Sequence, residues 1–166
     1  MTLIATLLSL IFPACGQSGA AGVPPPPPDL LSHLERPASP HSALAAPADF
    51  RPKPDIVLAP YAVPAGRLAG ELREIALAAP RVYQLSASPD GLAMQFVARS
   101  KVANFPDLIV ARISPLGEGD SSLVLYSYSL YGHSDFGVNE KRLREWIAAL
   151  DQRLPPEMGQ ARPKGQ

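Results

Sequence analysis

The clearest periodic segment lies near the C-terminal end of the chain. Leu143, Trp146, Ile147 and Leu150 recur at i, i+3, i+4 and i+7, the spacing that lines one face of an α-helix. Glu140, Lys141, Arg142, Arg144 and Glu145 fill the other positions and are expected to form its solvated face. Asn139, just before them, is the expected N-cap. A second stripe, Leu68, Leu72, Ile75, Ala76 and Ala79, follows Pro64 and stops at Pro80. Proline suits a first helical turn because the amide it lacks has no partner there.

Between these stripes the period changes to two. "LAMQFVARS" places Leu92, Met94, Phe96 and Ala98 on one face, and Ala93, Gln95, Val97 and Arg99 on the other. "DLIVARIS" sets Ile109, Ala111 and Ile113 against Leu108, Val110 and Arg112. In "SSLVLYSYSLYG", Leu123, Leu125, Ser127 and Ser129 oppose Val124, Tyr126, Tyr128 and Leu130. "RVYQLSAS" precedes a turn at Pro89, Asp90 and Gly91, and "GEGD" supplies another. "DIVLAPYAV" (55–63) is rich in β-branched and aromatic residues and reads as a strand, with Pro60 marking an edge or bulge. The expected order is β-α-β-β-β-β-α. This is an α+β two-layer sandwich, an antiparallel sheet of about five strands with two helices on one face. The expected domain spans 55–154.

The rest of the chain has a different texture. Residues 2–14, "TLIATLLSLIFPA", are apolar but shorter than the roughly 20 residues of a membrane span. They have the length of a signal-peptide core, although no Lys or Arg precedes them. Cys15 follows Ala14, as in a bacterial lipobox, so 1–15 reads as a signal and Cys15 as a lipidation site. Phe12 and Pro13 depart from the residues usual in that motif. Gly16 rather than Asp after the cysteine favours the outer membrane. The expected location is the bacterial envelope, on the periplasmic side. Residues 16–54 read as a tether and extended lead-in, with Pro24, Pro25, Pro26, Pro27 and Pro28 forming a stiff rod of roughly 15 Å. Residues 155–166 lack apolar periodicity and read as disordered.

Composition narrows the function classes. The 166 residues carry no net charge, without the basic excess of a nucleic-acid binder. Twenty prolines are too many for one compact domain and fit the extended lead-in. One cysteine forms no intrachain disulfide and no thiol zinc site. His33, His41 and His133 lie in unrelated segments, so no metal site is expected, and no phosphate or dinucleotide fingerprint implies a cofactor. His133, Ser134 and Asp135 are consecutive, whereas a catalytic triad is assembled from separate parts of a fold.

Three stretches resemble the Domain of Unknown Function 1499 family: "RPASPHSALAAPADF" (36–50), "VARSKVANFPDLIVARI" (97–113) and "YSYSLYGHSDFGVNEKRLREWIAALD" (126–151). The motif positions are Arg99 and Ser100, then Phe105, Pro106 and Asp107, then Ser129, Gly132, Ser134, Asp135, Gly137, Val138 and Asn139. Many members have a cysteine in the early Arg-Pro segment, which this chain lacks. The resemblance implies no established activity.

The polar residues of these motifs nominate a ligand or partner site: Arg99, Ser100, Asp107, Ser129, Ser134, Asp135 and Asn139, with Ser127 beside them. A buried arginine needs partners, and Asp107 or Asp135 are the expected ones for Arg99. The favoured expectation is a non-catalytic domain held at the membrane that binds a lipid-like ligand or an envelope protein. The alternative is an enzyme using Arg99, Asp107 and Asp135. The structural expectation for "HSDFGVN" is a turn and helix cap, with Gly132 and Gly137 supplying positive φ.

Overall fold

The computed structural model describes residues 13–37, 40–132 and 135–154. Six strands form one mixed sheet: β1 (Ser42–Ala46), β2 (Ile56–Val57), β3 (Val82–Ala87), β4 (Ala93–Arg99), β5 (Pro106–Pro115) and β6 (Ser121–Ser129). Their spatial order is β2-β1-β6-β5-β4-β3. Strands β3 to β6 form an antiparallel meander, and β1 returns to lie antiparallel to β6, Ser42 opposite Tyr128. β2 runs parallel to β1. Helices α1 (Ala65–Ala78) and α2 (Val138–Arg153) pack on one face.

The α+β class and the two helices match the sequence expectation. The sheet has six strands rather than five and is mixed rather than antiparallel. The additional strand is β1, "SALAA", inside the segment expected as lead-in. It carries no alternation because both its faces are buried: Ala43 and Ala45 join the helix-side core, Leu44 and Ala46 the opposite one. Of the expected strand at 55–63 only Ile56 and Val57 pair, and Tyr61 rejoins the sheet through a bridge to Ser121.

The helix-side core follows the two stripes. Leu68, Leu72, Leu143 and Leu150 are fully buried against Phe96, Ile109 and Leu125. Phe96 meets Trp146 edge-on, ring centroids 5.8 Å apart, a favoured aromatic geometry. Arg153 ties the helices together on the surface through Glu71 (3.0 Å) and Glu74 (3.2 Å).

The other sheet face is also apolar, and the N-terminal segment covers it. Ala14 and Val23 pack on Val97 and Leu108. Leu31 and Leu34 pack on Leu44, Val110, Val124 and Tyr126. In its described part, the expected spacer is therefore a roof over the sheet. A polyproline stretch makes no internal hydrogen bonds, so its carbonyls are available. The sheet meets the proline run and the residues before it with donors: Gln95 Nε2 donates to the Pro26 carbonyl (2.9 Å), and Arg99 donates to the carbonyls of Gly19 (2.8 Å), Ala21 (2.8 Å) and Ala14. Asn104 Nδ2 adds a bond to the Gln17 carbonyl (2.8 Å).

Among the described residues no helix is long and apolar enough to cross a membrane. The apolar run as far as residue 12, His133, Ser134, the tail 155–166 and the Cys15 side chain lie outside the described residues.

Arg99→Ala removes the guanidinium that gathers the carbonyls of the N-terminal segment. Hydrogen bonds from a charged donor contribute about 1.5–3 kcal/mol each, and those sharing one side chain do not add. We expect a loss of about 3 kcal/mol in stability. Amide exchange should speed up in 14–23 well before β5 and β6 respond. Unchanged exchange in 14–23 would show that the roof does not depend on Arg99.

Candidate functional site

The motif residues converge at one end of the sheet, under the first turn of α2. Asp107 opens β5, and Ser127 and Ser129 close β6, all on the helix side of the sheet by the strand period. Asn139 and Arg142, three residues apart on α2, point down onto them. Arg142 Nη2 donates to Asp107 Oδ2 at 2.7 Å, with both side chains largely buried. Ser129 donates to the other Asp107 oxygen (2.7 Å). Arg142 Nη1 donates to Ser127 Oγ (3.0 Å) and to Asn139 Oδ1 (2.6 Å), and Ser127 donates to that same Asn139 oxygen. Asn139 Nδ2 donates to Ser129 Oγ and to the His41 carbonyl, each at 3.1 Å.

The loop before α2 supplies the helix cap. Asp135 accepts hydrogen bonds from the amides of Gly137 and Asn139, each 2.9 Å. Gly137 is the N-cap residue with φ 78°, and Gly132 has φ 99°, so both glycines take the positive φ expected of them. Asn139 is not the N-cap: it lies inside the first turn, fully buried, with its side chain in the polar cluster. Capping falls to Asp135 because Asp135 lies outside the helix, where its carboxylate reaches both open amides.

The nominated residues therefore divide. Asp107, Ser127, Ser129 and Asn139 share one cluster, while Asp135 caps the helix beside it. Arg99 is elsewhere. Asp107 stands opposite Ala98 in the β4–β5 register, so Arg99, next along β4, projects from the other sheet face. Its described partners are carbonyls rather than Asp107 or Asp135. Ser100 closes the β4–β5 turn by accepting the Phe105 amide (2.9 Å). Arg142, expected on the solvated helix face, is the cation that neutralises Asp107. The signal was available in the strand period: Asp107 shares the face of Ile109 and Ala111, so it needs a buried cation. His41 is a second residue the motif missed; its Nδ1 is buried without a hydrogen-bond partner among the described residues. Among those residues no group of three or more His, Cys, Asp or Glu gathers as a metal site would require.

The second candidate region lies on the opposite face. A groove of about 560 Å³ runs between the proline run and the sheet, bordered by Pro25, Pro28, Leu31, Val110 and Arg112. Arg112 donates to Ser32 Oγ (2.9 Å) and weakly to the Pro28 carbonyl (3.4 Å). Beyond it Tyr126 and Tyr128 stack, centroids 5.1 Å apart. Burial raises both phenols, Tyr128 to about 12 with the neighbouring Tyr126 adding to the shift.

Asp107→Asn leaves the Arg142 charge without its counter-ion, and we expect a loss of about 3 kcal/mol in a urea titration. Replacing both residues by leucine should cost less than the sum of the single changes, because neither charge is then stranded. The phenols give a separate test at high pH. In the unfolded chain they ionise near the ordinary value of about 10, while the folded chain holds the Tyr128 proton to about 12. Stability is thus fully present below about pH 10 and falls as pH rises towards 12. The fall should be smaller in Tyr128→Phe, followed by unfolding midpoints and tyrosinate absorbance.

No curated protein and no solved structure matches this chain. A family model does: it is described as a protein of unknown function, DUF1499, and it matches residues 24–150. That span takes in the proline run, the whole sheet and nearly all of α2, and so the chain belongs to the DUF1499 family.

Proposed function

We propose that this family member is a non-catalytic binding domain of the bacterial envelope, held at the membrane through Cys15 and taking a small amphipathic anion in the groove under its proline run. The groove carries the proposal. Its volume of about 560 Å³ falls in the range of small-molecule pockets. Prolines, Leu31 and Val110 offer an apolar wall, and Arg112 at its border offers a charge. The described hydrogen bonds of Arg112 go only to neutral oxygens, which leaves its charge available to a carboxylate or phosphate. The helix side offers less. The Asp107–Arg142 cluster spends its donors and acceptors on itself, and the three groups of the alternative enzyme, Arg99, Asp107 and Asp135, each have separate structural partners. The envelope part of the proposal rests on the apolar run at 2–14 followed by Cys15.

Native mass spectrometry tests the groove. The folded chain is incubated with decanoate and, separately, with a bacterial envelope extract. A single adduct that disappears in Arg112→Ala supports the proposal. A bare mass at every concentration in both incubations counts against it.

A further inference from the structure

The groove under the proline run does not end at Arg112. Ser88, Ala93 and Arg112, which border it, also line a second cavity of about 230 Å³ beside the β3–β4 turn. Asp90, at the tip of that turn, stands on its wall. Of the described residues that line this cavity, Asp90 and Arg112 are the charged ones.

Each charge is fixed in place by contacts that leave it unneutralised. Ser88 donates its hydroxyl proton to Asp90 Oδ1, and the Leu92 amide donates to the same oxygen (3.0 Å). These bonds, that from Ser88 first, hold the Asp90 carboxyl below its ordinary range, so it is anionic at neutral pH. Both use one oxygen, so the other can serve a ligand. Ser88 also accepts the Ala93 amide (2.9 Å), which sets the shape of the turn. Arg112 stands opposite Ala93 in the β4–β5 register, and its guanidinium is tied to the roof at Ser32 and Pro28. Neither side chain enters an ion pair among the described residues. Opposite charges attract across a small cavity, yet here separate hydrogen bonds hold them apart. What results is a positive site at the border of an apolar groove and a negative site just beyond it.

From this arrangement we infer that the groove selects a zwitterionic amphiphile, with a single apolar tail under the prolines, an anionic group on Arg112 and an ammonium beyond it on Asp90, the chemistry of a phosphoethanolamine headgroup. The inference rests on the groove reading of the proposed function and adds the second half of the headgroup. A fatty acid would satisfy Arg112 and leave Asp90 without a ligand. A hard metal cation requires more oxygen ligands than one carboxylate supplies, whereas an ammonium is served by a single carboxylate.

Isothermal titration calorimetry of the folded full chain tests this at low ionic strength, because salt screens an exposed pair. Decanoate, decanoyl lysophosphatidylglycerol and decanoyl lysophosphatidylethanolamine share one acyl tail. The two lysolipids also share the phosphate and differ in ending in hydroxyls or in an ammonium. We expect the ammonium lipid to bind about threefold more tightly than the glycerol lipid, the effect of an exposed ion pair. Asp90→Asn keeps an acceptor for Ser88 and Leu92 and so retains the turn, and in this variant the two lysolipids should bind alike. Equal affinities in the parent chain overturn the zwitterion inference and leave the groove reading standing. A preference that survives in Asp90→Asn also overturns it, since the ammonium then has another partner. Absence of binding by decanoate and both lysolipids overturns the inference and the groove reading together.

Discussion

A sheet that is apolar on both faces needs two covers, and the α-helices among the described residues cover only one. That constraint organises the molecule. The second cover is a run of about twenty residues, rich in proline, alanine and glycine, whose regular structure is two short 3-10 helices, Pro13–Gly16 and Leu30–Ser32. Such a segment has few large side chains to bury, so apolar contact alone holds it weakly. Its backbone carbonyls, some of them paired in its own turns, also face the sheet at Ala14, Gly19, Ala21 and Pro26. Gln95 and Arg99, two turns of the strand period apart on β4, supply the missing donors. The face therefore combines an apolar floor, made by Val97, Leu108 and Val110, with polar side chains that fix where the roof lies. An arginine suits this role because its five donors and permanent charge serve several carbonyls from one position.

The Asp107–Arg142 cluster solves a related problem on the helix side. The first amides of a helix have no internal partners, and the end of a sheet leaves its last polar groups uncovered. Asp135 serves the helix amides, and Asn139 and Arg142 serve the sheet end. The motif shared with the family is therefore built first for architecture: it locks the start of α2 over the ends of β5 and β6. A buried pair of this kind is costly to break and does not by itself add much stability. Its value lies in fixing the angle and height of the helix.

Much of this was legible in the sequence. Alternation in β4, β5 and β6 separated the helix face from the roof face correctly, because large residues mark both. The same alternation places Arg99 and Asp107 on opposite sides, which the pairing of complementary charges by type obscured. β1 was illegible because an alanine-rich strand buried on both faces has neither period nor bulk to betray it. Arg142 was hidden by its own helix wheel, where a charged residue among charged neighbours reads as solvated. The roof was read as a spacer because polyproline composition reports stiffness and says nothing of what lies beneath it.

The topology also sets an order of events for the chain as it is made. β1 and the roof are synthesised early, yet β1 pairs with β6, the last strand, and the roof lies over β4, β5 and β6. Until β6 exists β1 lacks the antiparallel strand it pairs with, and Leu31 and Leu34 lack Val124 and Tyr126 to pack on. The strand that seats β1 and the helix that seats the polar cluster are both among the last elements of the chain to be made.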